Sequence, residues 1–392
     1  MERKIKNAGH LLIALGVNVF YGFPAKKLKV IGVTGTDGKT TTASMIYHIL
    51  KESGKSVSCL TTLGAFMANG EALETGLHTT TPSSLHLQRY LKKMVVSKSE
   101  YVVLEVTSHA LDQNRVRGIN FEIGVFTNIS HEHLDYHKTI DSYFASKLKL
   151  LANSKVCVVN LDDKFFSSIR SRLPKHKLIS FSLNNKDADV SLKSVGFTLP
   201  FDSSFNNKNA LAAIAVAQEL GVSRDKIKKA LKTYVFPEGR QEVIYQNDFR
   251  VIVDFAHTPN AFAEILPQMK KITKGRLIHV FGAAGKRDAL KRPQMGKISS
   301  QYADVIYLTA EDPRGEKVSK INAEIRSGVE KKAQIFEIES RKEAIEKAIL
   351  TARKGDTVIV TGKGHEKSMN LGNGEMPWSD RNAILDVLNS HS

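Results

Sequence analysis

The stretch Gly35-Thr36-Asp37-Gly38-Lys39-Thr40-Thr41 has the residue types of a phosphate cradle. Its glycines let the backbone turn N–H groups toward an anion, and Lys39 adds a point charge. Thr40 opens a helix whose positive end faces the phosphates, and its hydroxyl can hold Mg²⁺. The strict nucleotide-loop pattern asks for glycine where Val33 stands, so this is a shorter Gly-Thr-x-Gly-Lys-Thr form. A glycine turn without phosphate is the alternative, and the order of apolar strand, turn, lysine and helix argues against it. Glu105 ends another apolar run, and Asn128 to His137 gathers His131, Glu132, His133, Asp135 and His137. Each is weak alone, since a strand-end carboxylate also serves as a helix cap and a lone histidine is commonly a surface group. Beside a phosphate cradle they suit phosphoryl transfer, which needs Mg²⁺ on hard oxygen ligands next to the phosphates.

These groups need strand ends to hold them. Val30 to Thr34 reads as a strand, Thr40 to Leu50 as a helix stopped near Gly54, and Ser56 to Leu60 as the next strand, one βαβ unit. Short β-branched runs at Tyr101 to Val106, Ile123 to Asn128, Val156 to Asn160 and Lys177 to Ser182 continue the pattern. Asn209 to Leu220 reads as an alanine-rich helix, and 184–204 as a surface excursion or hairpin. After Pro237-Glu238-Gly239 a second set of strands starts at Arg250 to Phe255, Leu277 to Phe281, Asp304 to Thr309 and Thr357 to Thr361. The expected fold is therefore α/β: a central, doubly wound P-loop-type domain with a mostly parallel sheet over 30–237, then a Rossmann-like α/β domain over 238–392. Open sheets of this kind place ligands at the carboxyl ends of their strands.

The 392 residues and 42% hydrophobic composition suffice for two large cores. A net charge of +17 suits polyanionic ligands such as nucleotides. The basic residues are spread out, with no dense block, aromatic platform or zinc spacing, so nucleic acid is not expected. Cys59 and Cys157 sit in apolar runs as buried thiols do, which fits the cytoplasm. The apolar run Leu11 to Phe23 behind Arg3, Lys4 and Lys6 superficially resembles a leader. Asn18 and Gly22 interrupt it, so a buried helix is expected, and no membrane span.

Taken in order, these stretches resemble the Mur ligase family, and within it the branch that adds the third residue of the cell-wall peptide. The resemblance rests on Gly35 to Thr42, Thr79-Thr80-Thr81-Pro82, Glu105 to Leu111, Val125 to His137, Tyr143 to Lys147 and Asn209 to Ala213. It continues through Gly239-Arg240, Asp254 to Pro259, Gly282 to Pro293, Glu311-Asp312-Pro313-Arg314 and Gly362-Lys363-Gly364-His365-Glu366. It implies ATP held by Gly35 to Thr41, with Asn209, Arg240 and Asp254 contacting the rest of the nucleotide. It also implies two Mg²⁺ ions, one on Thr40 and Glu105 and one on His133. Lys147 matches a lysine that the family carbamylates, which would make it an anionic ligand or support for the second ion; from the residues alone it reads as a solvated helix position. Lys39, Glu105, His133 and Lys147 would be the catalytic set, making an acyl phosphate that an amine then attacks. The sequence shows no Ser/His/Asp or Cys/His nucleophile arrangement, and this chemistry needs none.

By the same resemblance Thr80, Thr81, Thr107, Gln113 and Arg115 hold a muramoyl-peptide acceptor. Arg287, Glu311, Asp312, Arg314, Gly362 and Glu366 hold the incoming diamino acid. Arg314 suits the distal carboxylate of meso-diaminopimelate, whereas Asp312, standing where asparagine is usual, suits a lysine ε-ammonium as well. The expected partners are these small molecules, bound by a monomer. Family members carry an N-terminal domain of about a hundred residues that grips uridine diphosphate. Residues 1–29 would be a remnant or linker in its place, leaving open a short enzyme, a different acyl acceptor or an incomplete chain. The competing functions are a ligase of folylpolyglutamate or poly-amino-acid type, against which Glu311 to Arg314 and Gly362 to Glu366 argue, and a non-catalytic nucleotide-binding subunit, for which the metal set would have no use.

Overall fold

Five of the six residues of strand β1 (Lys29–Thr34) are buried, as befits a strand flanked on both edges and covered on both faces. The computed structural model describes residues 2–76, 80–130, 132–201, 203–330 and 333–390. Thr79 and His131 lie outside the described residues. The chain divides into two units, Met1–Val235 and Phe236–Ser392.

The first unit is built on β1, β2 (Val57–Thr61), β3 (Gly64–Phe66), β4 (Ala72–Leu73), β5 (Tyr101–Glu105), β6 (Phe121–Phe126), β7 (Ser154–Asn160), β8 (Lys177–Ser182) and β9 (Val190–Ser191). Their order across the sheet is β4-β3-β2-β5-β1-β6-β7-β8-β9. Pairing is parallel from β2 through β9, and β3 and β4 add an antiparallel edge. Right-handed crossovers between parallel strands need covering helices. Lys39–Glu52, Ser84–Val96 and Ile140–Ala152 lie in such connections, and Ser204–Glu219 follows the last strand of the sheet.

The second unit has β10 (Glu242–Gln246), β11 (Arg250–Asp254), β12 (Leu277–Phe281), β13 (Val305–Leu308), β14 (Gln334–Glu337) and β15 (Thr357–Thr361). They form a sheet in the order β10-β11-β15-β12-β13-β14, parallel except for the edge strand β10. A small hairpin, β16 (Ser368–Asn370) and β17 (Glu375–Pro377), follows.

Two expectations need correction. The run 184–204 is no hairpin: β9 pairs in parallel with β8, and Ser191 then closes a capping box on the short helix Leu192–Val195. The helix Glu2–Tyr21 forms, but it is not buried. Ala14 and Asn18 are covered, while Leu12, Ile13, Leu15, Val19 and Phe20 are 44–80% exposed. Its apolar residues wrap around more than one face, and one packing surface covers only one of them. Asn18 fixes that face by donating Nδ2 to the Arg117 carbonyl at 2.8 Å. No helix among the described residues is long and apolar enough to cross a membrane.

Candidate functional site

In the first unit the candidate residues cluster at the carboxyl ends of β2, β5, β1 and β6, which are neighbours in the sheet. The loop after β1 is held by its own side chains and by the strand end beside it. Gly38 has φ 79°, and a Cβ there would lie 2.3 Å from Asn209 Oδ1, so only glycine fits. The Asp37 amide donates to Asn128 Oδ1 at 2.9 Å, and Asn128 Nδ2 donates back to the Asp37 carbonyl at 3.1 Å. Thr127 Oγ1 donates to the same carbonyl at 2.7 Å. Thr36 Oγ1 meets the Tyr143 hydroxyl at 3.2 Å and accepts from the Ser130 amide at 3.0 Å. Lys39 Nζ donates to the Thr36 carbonyl at 2.7 Å, folding back over the loop.

Thr40 and Glu105 meet directly: Thr40 Oγ1 lies 3.0 and 3.1 Å from the two carboxylate oxygens of a residue only 2% exposed. Glu105 also accepts from the amide and hydroxyl of Thr62, both at 3.3 Å. Thr62 Oγ1 lies 2.9 Å from Thr80 Oγ1 as well. Thr81 Oγ1 donates to the Glu105 carbonyl at 3.0 Å and accepts from the Thr107 amide at 3.0 Å. Arg115 joins the same chain of bonds, donating to the Thr81 carbonyl at 2.8 Å and to Gln113 Oε1 at 2.7 and 3.0 Å. Thr41 is buried in the first turn of its helix.

His133 caps the short helix Leu134–His137 with φ 57°, and its ring stands perpendicular to that of His109 at 4.9 Å. Lys147 corrects the solvated reading, being 1% exposed with Nζ 2.5 Å from the Gly35 carbonyl and 4.5 Å from the Tyr143 ring centre. Burial drives its pKa well below the usual lysine value, and the Lys39 cation adds to the fall against the pull of Asp37 and Glu105. Asn209 belongs to the helix Ser204–Glu219. Ser203 caps that helix, and Asn209 lies on its second turn, accepting from Thr42 Oγ1 at 3.2 Å. Its Nδ2 is buried without a hydrogen-bond partner.

In the second unit Asp254 ends β11, while Arg287, Glu311 to Arg314 and Gly362 to Glu366 follow the parallel strands β12, β13 and β15. Asp254 accepts from the Gln241 and Ala256 amides at 2.8 and 2.7 Å; burial raises its pKa despite Arg240. Arg240 lies over the Phe255 ring at 4.4 Å and meets His365 Nδ1 at 3.2 Å. Arg287 sits exposed in the loop after β12.

Asp312 is turned inward. Its Oδ1 accepts from Lys363 Nζ at 2.9 Å and the Asn370 amide at 3.0 Å, and its Oδ2 from Arg314 at 3.1 Å. Lys363 also meets Glu366 at 2.5 Å. Burial works against the Lys363 charge, but Glu366 and Asp312 outweigh it and hold its pKa above the ordinary value. Glu311 is pushed up to about 7 by burial, and Glu366 adds to the rise against Lys291, Lys363 and Arg341. Its Oε2 is buried without a partner, beside the position where a Cβ on Gly362 (φ 106°) would fall.

Thr62, Asn128 and Lys363 escaped the sequence reading as site residues. The strand-end position that pointed to Glu105 also applies to Thr62. The pairing of Lys363 with Asp312, 51 residues away, has no local signal.

Loop, strand order and buried carboxylate define a nucleotide-binding protein of two α/β units. Comparison with known proteins is in accord. The description "Mur ligase middle domain" matches residues 33–217, and "Mur ligase, glutamate ligase domain" matches 239–364. The chain is 36% identical to a UDP-N-acetylmuramoyl-L-alanyl-D-glutamate–2,6-diaminopimelate ligase of Clostridium acetobutylicum, across 98% of this chain and 83% of that protein. It is 39% identical to the ligase of that name from Aquifex aeolicus, across 94% and 79%. A solved structure of a ligase with that name overlays with TM-score 0.62 at 29% identity, covering 93% of this chain and 79% of that one. A folylpolyglutamate synthase of Mycobacterium tuberculosis overlays with TM-score 0.70 at 15% identity, covering 90% and 92%, a likeness of fold. The chain belongs to the Mur ligase family.

That family is ATP-dependent, which implies ATP and Mg²⁺ here. The residues fit both. The unpartnered Asn209 Nδ2 borders the glycine loop, and the Thr40 hydroxyl with the Glu105 carboxylate is a set of hard oxygens suited to Mg²⁺.

Proposed function

We propose that this chain is an ATP-dependent ligase that joins a diamino acid to the free carboxylate of a UDP-N-acetylmuramoyl-dipeptide, a step of peptidoglycan precursor synthesis. The observation that carries this reading is the double engagement of Glu105. One carboxylate receives the Thr40 hydroxyl from the phosphate loop and the Thr62 hydroxyl from the Thr80 to Arg115 chain of polar groups. An acceptor held by Thr80, Thr81, Thr107, Gln113 and Arg115 would thus lie next to the phosphates held by Gly35 to Thr41.

In this reading the acceptor carboxylate attacks the γ-phosphorus of ATP, giving an acyl phosphate and ADP. The donor amine then attacks the acyl carbon, phosphate leaves and the amine loses a proton. Bound Mg²⁺ would spread the negative charge on the transferring oxygens. Thr40 and Glu105 would hold one ion, and His133 with Lys147 a second. Lys39 would neutralise phosphoryl charge from the loop, and Asn209, Arg240 and Asp254 would contact the rest of the nucleotide. A lysine whose pKa is well depressed presents a neutral amine, which adds to CO2 to give a carbamate and a released proton. Lys147 would so become an anionic ligand.

Arg314 and Arg287 would take the donor's distal carboxylate, and Glu311 and Glu366 its amine, with Gly362 leaving room. Both Asp312 oxygens are occupied by Lys363, Asn370 and Arg314, which argues against that acid receiving a lysine ε-ammonium and favours diaminopimelate. The enzyme would act as a cytoplasmic monomer on small molecules. ADP release that depends on both acceptor and diamino acid is the expected result; turnover of ATP indifferent to both would refute it.

A further inference from the structure

Between the segment that follows Glu105 and the helix that carries Lys147 lies a buried imidazole to which the reaction assigns nothing. His137 is 1% exposed. Its Nε2 lies 3.0 Å from Ser108 Oγ, and its Nδ1 lies 3.4 Å from Ser146 Oγ. Ser108 begins the helix Ser108–Asp112, three residues past Glu105, where Thr107 Oγ1 accepts from the Ala110 amide. Ser146 precedes Lys147 in the helix Ile140–Ala152. One ring therefore ties the segment leaving β5 to the helical turn that carries Lys147 to the Gly35 carbonyl.

The shorter of the two Ser146 contacts favours one tautomer of the ring. Ser146 has one proton, and its Oγ donates that proton to the Ser142 carbonyl at 2.9 Å. With that proton on the shorter contact, the 3.4 Å contact is satisfied the other way, from Nδ1–H to Ser146 Oγ. With the proton on Nδ1, Nε2 of a neutral ring is a bare acceptor, and Ser108 Oγ–H donates to it. A protonated ring would have a donor at Nε2 in place of that acceptor.

We propose that His137 is a positioning residue: held as the neutral Nδ1–H tautomer between Ser108 and Ser146, it sets the spacing of Glu105 and Lys147. The inference rests on the catalytic roles proposed above for those two residues. Groups that orient ligands of a metal or of transferring phosphate typically change activity by about 10–100-fold when removed. Such a loss falls on kcat, because the spacing matters to the reacting geometry more than to donor binding.

Two measurements test this on the full chain. Two-bond nitrogen–proton correlation on histidine-labelled protein, with the His137 signals assigned by their absence from His137→Gln, is expected to show a proton on Nδ1 near neutral pH. A proton on Nε2, or on both nitrogens, would overturn the proposal. Kinetically, His137→Leu is expected to lower kcat by about 10–100-fold with the donor KM within about twofold, and His137→Gln, whose amide oxygen can accept from Ser108, to recover about tenfold of that loss. Equal kinetics for the Leu and Gln variants would also overturn it. A wild-type chain without ligase activity would sink the proposed function instead, and the tautomer measurement would still judge His137.

Discussion

Lys147 reaches across from the helix Ile140–Ala152 to donate its Nζ to the carbonyl of Gly35, 2.5 Å away, at the first glycine of the phosphate loop. A buried amine on the loop backbone has a depressed pKa, so the unfolded chain binds the extra proton at any pH between the folded value and the usual 10.5. Stability therefore rises with pH over that window. Lys147→Met removes the linkage. In CO2-free buffer the wild type is expected to gain stability relative to this variant between neutral and alkaline pH, as read by denaturant melts. Parallel changes would contradict it. Labelled bicarbonate is expected to add a carbamate carbon signal to the wild type and none to Lys147→Met.

Gly38→Ala tests the loop. The substitution places a Cβ against Asn209 Oδ1 at a φ of 79°, so the loop or the helix Ser204–Glu219 must shift. Left-handed backbone alone costs an alanine about 1–2 kcal/mol. Nucleotide affinity is expected to fall by about tenfold or more, measured by titration with a fluorescent ADP analogue; unchanged affinity would remove the loop from the site.

Glu311 carries a pH signature. Its folded pKa of about 7 lies above the usual 4.5, so the folded chain keeps a proton that the unfolded chain has released, and stability falls as pH rises between those values. Glu311→Gln is expected to flatten that fall in melting experiments. If ionised Glu311 receives the donor's amine, the donor KM of the wild type drops as pH rises through about 7, and the variant shows no such drop.

Arg314 and Asp312 separate the two candidate donors. Arg314→Ala is expected to lower kcat/KM for diaminopimelate by about 10–100-fold, the loss of a charge-assisted pair. Asp312→Asn leaves Lys363 its partner Glu366 and is expected to cost about 1–3 kcal/mol of stability. Higher activity of the wild type with lysine than with diaminopimelate would overturn the assignment of Arg314.

Local chemistry explains what could be read in advance. The phosphate loop and Glu105 announce themselves through residue type at a strand end, and the β-branched runs at 177–182, 277–281 and 357–361 coincide with β8, β12 and β15. Lys147 could not be read as buried, because its surroundings come from Gly35, Lys39 and Glu105, all far away in sequence. The inward turn of Asp312 depends on Lys363 in the same way. The edge strands β4, β9 and β10, and β3 next to the edge, are short or polar and give little periodic signal. The helix Glu2–Tyr21 is apolar without being buried, because its apolar residues face more than one way, and composition alone carries no sign of that.

The most direct test of the central claim is coupled ADP release by the purified chain with Mg-ATP, UDP-N-acetylmuramoyl-dipeptide and a panel of diaminopimelate, lysine and glutamate. Turnover is expected only when acceptor and amino acid are both present, with diaminopimelate preferred, and is expected to be lost in Glu105→Gln. Turnover that ignores the acceptor, or a preference for glutamate, would contradict it.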